Sequence, residues 1–397
     1  MTDQHQPHDQ QHDDQHDPAP TTVKPPPWFP WVAGLAIVGL VGASAYACTR
    51  DDDLGGTAGP TSTAGPSPSA SSASSATPGA SGPLDQGTAP SRLWNPQTNV
   101  FTLDVSKAPV HQNSPGFIKN LQGQITPNYG GMVALNAYHY NPSYYVVDAS
   151  TPKVNIAFYD CQNKKYTPDG LFNGPKYFQN VPIPENAIPA TGTDSTLSIY
   201  SPDTDQVWEL WVLRKQKANP KQWEACWGGR IDQASKSAGQ FQMPFGASAS
   251  GLATIGSMIT LSEAQAGKIE HAMALNLIAP GDWQRVWYPA NRSDGNDRSP
   301  NAIPEGARLR LDPSVNVDTL KLTPLGKAVA RAAQKYGFIV VDTAGAVAVI
   351  AESGTRVQKE TGSDPWKPIL GAVPNYKQLE GFPWDKLQVL QQDYGKP

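Results

Sequence analysis

An uncharged segment of twenty residues, from Trp28 to Ala47, constrains this chain more than any other feature of its sequence. As a helix the segment would be about 30 Å long, which matches the hydrocarbon core of a bilayer. Trp28 and Trp31 lie near one end and Tyr46 near the other, where aromatic side chains settle at the membrane interfaces. The segment therefore predicts one transmembrane helix at residues 28–47 and a single-pass cell-membrane protein.

The two flanks of this segment predict disorder and an orientation. Residues 1–27 form an acidic tail rich in His and Gln, and residues 54–91 consist almost entirely of Ser, Gly, Pro, Ala and Thr. Such compositions bury too little apolar surface to fold, so residues 48–91 are predicted to be a disordered stalk. A stalk of this kind is typical of a domain held off a membrane. Residues 92–397 are therefore predicted to form an extracytoplasmic globular domain at the cell envelope.

Cys48 leaves the mode of membrane attachment open. It follows Ala45-Tyr46-Ala47, which resembles the lipobox of bacterial lipoproteins, where small residues precede a lipidated cysteine. However, Ala45 replaces the usual leucine, and the preceding tail is long and acidic, whereas a signal peptide begins with a short basic region. An uncleaved signal anchor is therefore the preferred interpretation, and lipidation of Cys48 is the alternative.

The charge of the predicted domain argues against one class of partner. Nine acidic and two basic residues precede Arg92, which leaves 29 basic and 26 acidic residues in the domain. A nearly neutral domain gives no sign of a surface for nucleic acid or for an anionic membrane. No nucleic-acid partner is predicted, and the sequence does not determine the oligomeric state.

Cys161 and Cys226 are the two cysteines of the predicted domain. An oxidising extracytoplasmic compartment would let them form a disulfide, and two buried thiols are the alternative. Two cysteines without nearby histidines do not complete a tetrahedral zinc site. No metal site and no cofactor are therefore predicted in the domain.

Short apolar runs between turn residues predict a mainly β domain of the α+β class, a β-sandwich or jelly-roll-like fold with a few packed helices. Abundant proline predicts that the first half has no long helix. In the second half, Thr323 as N-cap, Pro324 at the first helical position and Gly337 past the end predict a helix. Residues 262–265 form a capping-box pattern before Gly267, which predicts a shorter helix. The predicted strands cover residues 132–140, 144–148, 153–159, 196–200, 207–214, 223–231, 338–341 and 346–351.

Three residues are candidates for catalysis, although the motifs of zinc proteases, P-loop proteins, serine hydrolases and dinucleotide-binding proteins are all missing. Glu209 is a carboxylate on a strand of large apolar side chains. Such a group either pairs with Arg214 or Arg230, which is the preferred interpretation, or has a raised pKa suited to proton transfer. His271 and the turn residue Asp194 are the other two candidates, and a core position is the preferred interpretation of His271.

Tryptophans close to carboxylates predict a carbohydrate-binding surface, because carbohydrate sites combine aromatic platforms with carboxylate groups, and glycosidases need two carboxylates. Hydrogen bonding within turns explains the aspartates equally well without a ligand. Core packing is the preferred interpretation for most of the tryptophans at alternating strand positions. The candidate ligand-binding residues are Trp208, Trp211, Asp203, Asp205, Arg292 and Asp294.

Seven short elements of the sequence carry a resemblance to a known family. They are Gly192-Thr193-Asp194, Tyr200-x-Pro202-x-Thr204-Asp205-x-x-Trp208-Glu209-x-Trp211, Gly228-Gly229-Arg230-Ile231, Gly267-x-Ile269-x-His271-Ala272, Pro289-Ala290-x-Arg292-x-Asp294-Gly295, the run from Ala302 to Pro313, and Phe382-Pro383-Trp384-Asp385-x-Leu387-Gln388-Val389-Leu390. With these elements about half of the chain resembles a family of secreted, mostly uncharacterised actinobacterial proteins, which implies secretion or membrane anchoring and no defined activity. Relatives show Asp-Arg-His where this chain has Asp194-Ser195-Thr196, so any chemistry of that histidine is absent here.

These patterns favour a membrane-anchored protein that binds a polymer of the cell envelope or the extracellular space, with a glycan as the first choice. The first alternative is a glycan-active hydrolase or lyase that uses Glu209, an acid of the turn at residues 194–205, and His271. The second alternative is a non-catalytic structural protein of the envelope. The sequence alone does not decide whether the chain is an enzyme.

Overall fold

The computed structural model of the protein describes residues 89–397. The predicted tail, the predicted transmembrane helix, Cys48 and nearly all of the predicted stalk lie outside the described residues. Among residues 89–397, no helix is both long enough and apolar enough to cross a bilayer. The described part of the chain has six α-helices: α1 Ser114–Ile125, α2 Thr254–Ser257, α3 Leu261–Ala266, α4 Pro324–Lys335, α5 Gly354–Thr361 and α6 Lys367–Leu370.

Helix α4 begins and ends as its sequence predicts. The Thr323 hydroxyl accepts a hydrogen bond from the amide of Gly326 at 2.9 Å, which caps the first turn. Gly337 follows the helix with a φ of 77°, a left-handed conformation that glycine adopts without strain. The buried face of α4 packs against the core through Leu325 and Val329.

Helix α3 has the predicted capping box, but with different residues. Thr260 is the N-cap, and its side chain and that of Glu263 bond to each other's backbone amides. The helix therefore begins before the predicted Ser262, and Gly267 follows its last turn with a φ of 64°.

Helix α1 shows that the prediction of no long helix in the first half is wrong. Pro115 lies in the first turn, where its missing N–H needs no partner. The helix has twelve residues, and Phe117, Leu121 and Ile125 on one face are buried. Proline in the first turn is therefore compatible with a helix, whereas proline in the helix interior would break it.

The larger sheet has six strands in the order β1-β14-β11-β13-β12-β15. Strands β11 and β13 run parallel, so their carboxyl ends meet at one edge, where Asn276 lies beside Asp342. The strands are β1 Ala134–Asn136, β11 Met273–Leu277, β12 Arg308–Leu311, β13 Phe338–Thr343, β14 Ala348–Ile350 and β15 Leu387–Val389.

The remaining strands form a four-stranded sheet in the order β10-β7-β6-β2, a three-stranded sheet β4-β9-β8 and the pair β3-β5. They are β2 Ser143–Val146, β3 Lys153–Val154, β4 Ala157–Phe158, β5 Val181–Pro182, β6 Leu197–Ser201, β7 Gln206–Trp211, β8 Arg214–Lys215, β9 Trp223–Ala225 and β10 Trp227–Asp232.

This architecture confirms the predicted α+β class. The sheets of residues 89–397 are open, and none closes into a barrel. Neighbouring strands are parallel in the pairs β1–β14, β11–β13, β2–β6 and β4–β9. These parallel pairs differ from the expected jelly-roll-like arrangement, which is antiparallel throughout.

A disulfide joins Cys161 to Cys226, with their Cα atoms 5.6 Å apart, within the usual range for a bridged pair. Cys226 lies between β9 and β10, whereas Cys161 lies in the long loop that follows β4. The bond therefore fastens this loop to the end of the four-stranded sheet.

We expect removal of this disulfide to lower the free energy of unfolding by about 4 kcal/mol, because the bond closes a loop across 65 positions of the sequence. The measurement is urea denaturation of the full chain and of the Cys161→Ser/Cys226→Ser variant. The unmutated chain treated with a thiol reductant is the matched control and should lose the same free energy. An unchanged unfolding midpoint would contradict this expectation.

Candidate functional site

A cavity of about 1070 Å³ is lined by residues of both larger sheets, a volume at the upper end of the range for ligand sites in proteins. The six-stranded sheet contributes the carboxyl ends of β11 and β13, and the four-stranded sheet contributes Trp211 and Trp227. The segments around residues 193–196, 244–257 and 292–294 close the space between them. We refer to this space as the cavity.

Asp342 lies in the cavity wall because of its position near the carboxyl end of β13. The apolar run from Phe338 to Val341 is buried in β13, and Asp342 follows it toward the carboxyl end. Its Oδ2 accepts a hydrogen bond from the amide of Ala249 at 3.2 Å, and its Oδ1 accepts one from the amide of Thr343 at 3.0 Å. The carboxyl group is thus held in place by the backbone.

Two further carboxyl groups, Asp294 and Glu305, lie close to Asp342, and we call these three residues the carboxyl cluster. The Thr343 hydroxyl donates to Asp294 Oδ1 at 2.6 Å. Burial raises the pKa of Asp342 well above its usual range, the charge of Asp294 adds to this effect, and the amide of Ala249 opposes it. Burial raises the pKa of Glu305 in the same way, with further contributions from the charges of Asp294 and Asp342.

Several polar atoms at this end of the cavity lack hydrogen-bond partners among the described residues. Glu305 is fully buried, and its carboxyl oxygens find no donor among the described residues apart from the neighbouring carboxyl group of Asp294. Asn276 Oδ1 and Arg292 Nε are also unpartnered, although Arg292 donates to the carbonyl of Gly246 at 3.1 Å. Unsatisfied polar atoms at a cavity are typical of a site that holds a polar ligand.

No group of three His, Cys, Asp or Glu residues within residues 89–397 has an arrangement that would hold a metal ion.

Asp194 lies in the part of the cavity wall formed by the four-stranded sheet. It precedes β6, and its Oδ1 accepts a hydrogen bond from the indole Nε1 of Trp211 at 3.3 Å. Burial raises the pKa of Asp194, and this hydrogen bond opposes the shift. The sequence candidates Asp194, Trp211, Arg292 and Asp294 thus all line the same cavity.

Exposed aromatic side chains surround the cavity. Tyr129, Tyr140 and Tyr376 line it, and their exposed fractions are 65%, 55% and 44%. Tyr166 is equally exposed, at 44%, but does not line it. An exposed aromatic ring loses hydrophobic stabilisation, so several rings at one opening are typical of a binding surface.

The disulfide supports the opposite side of the cavity. Cys226 precedes Trp227, and the indole of Trp227 stacks on Phe245 with ring centroids 5.5 Å apart. Lys164, in the loop that carries Cys161, places its Nζ 3.8 Å from the centroid of Trp227. Burial lowers the pKa of Lys164 to about 8, although Asp160 opposes the shift.

Glu209 lies directly behind the cavity wall and does not line it. Its Oε1 accepts hydrogen bonds from the amide and the hydroxyl of Thr254 at 2.6 and 2.7 Å, and its Oε2 accepts one from the amide of Ala247 at 3.3 Å. Thr254 and Ala247 both line the cavity. Burial raises the pKa of Glu209 to about 7, although these hydrogen bonds favour the ionised form.

The expected pairing of Glu209 with an arginine is wrong. Arg214 donates to Glu224 at 2.7 Å, and Arg230 forms an ion pair with Asp232. Glu209 instead obtains its hydrogen bonds from the segment between β10 and α3, which crosses the inner face of its strand.

His271 is fully buried away from the cavity lining. Its Nε2 lies 3.2 Å from Glu263 Oε2, and its Nδ1 lies 2.9 Å from the carbonyl oxygen of Ala272. Burial opposes a charge on this imidazole, but Glu263 outweighs it and raises the pKa of His271. The structure therefore places His271 in an ion pair that fixes α3 to the start of β11.

Three other candidates also lie outside the cavity lining. Trp208 is buried in the core on the other face of β7. Asp203 accepts a hydrogen bond from the amide of Ala149 at 2.7 Å, and Asp205 accepts one from the amide of Ser235 at 3.0 Å. Both aspartates accept hydrogen bonds from loop amides, so they have a structural role of the kind that the sequence analysis gave as the alternative to ligand binding.

Asp342 and Glu305 were not among the sequence candidates. Asp342 had one recognisable signal, because an acidic residue directly follows the apolar strand run 338–341. Glu305 had none, since its burial depends on segments distant in the sequence. Lys164 lacked a local signal for the same reason.

Comparison with protein-family models, with curated proteins and with solved structures finds no match for this chain. The resemblance described from the sequence elements therefore stays a prediction. The geometry of the cavity is the basis on which a function is inferred.

Glu209 is expected to make the protein less stable as the pH rises from about 4.5 to about 7. The folded state keeps the Glu209 proton in this window while the unfolded state has released it, so the free energy of unfolding falls as the pH rises. The loss from this group is about 3 kcal/mol. Glu352, whose pKa burial also raises to about 7, adds to the same trend.

Denaturation of the Glu209→Gln variant across this pH range tests the expectation. The decrease should be smaller than in the unmutated chain, whatever the absolute stability of the variant. Replacement of the exposed Glu185 by Gln changes the net charge equally and is the matched control. Equal pH dependence in both variants would contradict the assignment.

Proposed function

We propose that the domain formed by residues 89–397 binds an oligosaccharide segment of an envelope or extracellular polymer in the cavity. The observation that carries this proposal is one cavity with aromatic rings and carboxyl groups together in its lining. Aromatic faces pack against the C–H faces of sugars, and carboxylates and amides accept hydrogen bonds from sugar hydroxyls. The two sheets would then act as the two walls of a sandwich-like receptor.

The size and polarity of the cavity support a sugar chain over other ligands. A volume of about 1070 Å³ accommodates several sugar rings. Asp194 and Asp294 in its lining would repel a nucleic-acid backbone. Asn276 offers an unpartnered oxygen that a hydroxyl group of a sugar could satisfy.

Replacement of a tyrosine at the cavity opening tests this proposal. We expect Tyr140→Ala and Tyr376→Ala each to weaken glycan binding by about three- to tenfold, because one aromatic contact is worth about 0.5–1.5 kcal/mol. Co-sedimentation of the full chain with purified peptidoglycan and arabinogalactan, together with calorimetry on soluble hexasaccharides of glucose, N-acetylglucosamine and xylose, measures the affinity.

Tyr166→Ala is the matched control, since Tyr166 has the same exposed fraction as Tyr376 but lies outside the cavity. It should bind as the unmutated chain does. Equal losses in all three variants would indicate nonspecific adsorption and would contradict the assignment of the cavity. Absence of binding to the whole panel would favour the structural role.

We also propose that residues 28–47 anchor the chain in the membrane as an uncleaved segment and hold the domain outside. The support is the uncharged twenty-residue sequence and the stalk composition that follows it. Membership of the secreted actinobacterial family is part of the same proposal and has the sequence elements as its support.

The anchor is tested by membrane fractionation and by labelling with radioactive palmitate. The full chain and the Cys48→Ala variant should both remain in the membrane fraction after an alkaline wash, and neither should incorporate the label. Incorporation that is lost in Cys48→Ala would show a lipoprotein instead.

A further inference from the structure

Resting on the proposed function, we propose that the cavity also hydrolyses a glycosidic bond, with the carboxyl group of Asp342 as proton donor and Asp194 as the base that activates water. Both carboxyl groups line the cavity, and each belongs to a different sheet region. The charge of Asp194 also raises the pKa of Asp342, so the two carboxyl groups act on each other across the cavity. Glycosidases use two carboxyl groups, one on each side of the bond that breaks.

The balance of charges at the carboxyl cluster explains why a proton is held there. The charges of Asp294, Glu305 and Asp342 all act on one guanidinium, that of Arg292, which donates to the carbonyls of Gly246 and Ser248. Three ionised carboxylates beside one cation would leave uncompensated negative charge in a buried place. At least one of the three carboxyls is therefore protonated near neutral pH.

Glu305 adds a buried carboxyl group behind the cavity lining, next to Asp294 and Asp342. Its side chain is fully buried, and its oxygens find no donor among the described residues apart from the carboxyl group of Asp294. A hydrogen bond between two carboxyl groups needs a proton on one of them. The charges of Asp294 and Asp342 raise the pKa of Glu305 further, so Glu305 favours its protonated form and adds no negative charge to the cluster.

Asp342 and Asp194 have different environments, and these environments favour the protonated form of Asp342 and the ionised form of Asp194. Asp342 has Asp294 as a charged neighbour, and burial together with this charge raises its pKa well above the usual range. Asp194 has the indole of Trp211 as a donor, which favours its ionised form and opposes the effect of burial. Asp342 therefore keeps its proton at a pH at which Asp194 has lost its own.

The step balances with water as the only co-reactant. The proton of Asp342 moves to the glycosidic oxygen while the bond from the anomeric carbon to that oxygen breaks, and the bonding electron pair stays on the oxygen. The oxygen of a water molecule bonds to the anomeric carbon, and one proton of that water moves to the Asp194 carboxylate. Transfer of a proton through solvent from Asp194 to Asp342 restores both groups.

The test uses the full chain in detergent and the same panel of peptidoglycan, arabinogalactan and hexasaccharides. Release of reducing ends is measured in water enriched in oxygen-18, and binding is measured in parallel. We expect product that carries one heavy oxygen at the new reducing end. Asp342→Asn should lower the rate at least about 100-fold with binding retained, because a positioned proton donor contributes about 10²–10⁴-fold.

A second variant tests the proton assignment through the pH profile. Asp294→Asn keeps an acceptor for the Thr343 hydroxyl but removes the negative charge beside Asp342. The pKa of Asp342 should fall, so the alkaline limit of activity should move to lower pH. A residue with only a structural role would change the rate without moving this limit. Asp385→Asn, at an exposed position outside the cavity, is the matched control and should behave as the unmutated chain.

Each outcome decides a different point. Binding without release of product from any polymer would overturn hydrolysis and leave the proposed function intact. An unsaturated product without heavy oxygen would indicate a lyase, and full activity in Asp342→Asn would exclude this proton donor. Neither binding nor product would overturn both proposals. Thermal denaturation of each variant confirms that the chain is folded.

Discussion

The burial of carboxyl groups at the carboxyl end of β13 is the constraint on which the rest of this cavity depends. Asp342 is held there by the amides of Ala249 and Thr343, with Asp294 and Glu305 close by. Ionised carboxylates in a low-dielectric setting are costly unless paired or protonated. The guanidinium of Arg292 is the positive charge that interacts with this cluster. Burial raises the pKa of Asp342 and of Glu305 well above the usual range, which favours their protonated forms beside the cavity.

Glu209 plays a comparable part behind the cavity wall. Its carboxyl group accepts hydrogen bonds from the amides of Thr254 and Ala247. Both residues belong to a segment with little regular structure that lines the cavity. A buried acceptor of this kind fixes loop backbone that would otherwise lack partners. On the other side, the bond between Cys161 and Cys226 fastens a second loop beside Trp227. The segment that contains Ala247 and Thr254 is thus attached to β7 by the hydrogen bonds of Glu209. The loop that contains Cys161 is attached beside β10 by the disulfide.

Sequence reasoning succeeded where the interactions are local. The N-cap Thr323 and the terminal Gly337 define α4 through bonds that span a few residues, and the apolar run of β13 was recognisable by itself. It failed for α1, where the position of Pro115 within the first turn reverses the usual effect of proline. For the site, Asp194 and Asp294 were recognised as candidates, whereas Glu305 was not, because nothing in its neighbouring residues signals burial.

The sequence by itself determined the uncharged segment at residues 28–47, the low-complexity composition of residues 54–91 and the α+β class, since each follows from composition or from short-range periodicity. The tertiary structure alone decided which carboxyl groups share a cavity. Asp194 and Asp342 are 148 positions apart in the sequence, and they meet because two sheets pack around the same space. The proton affinity of a carboxyl group depends on such neighbours and on burial, so no pattern of adjacent residues could have shown it.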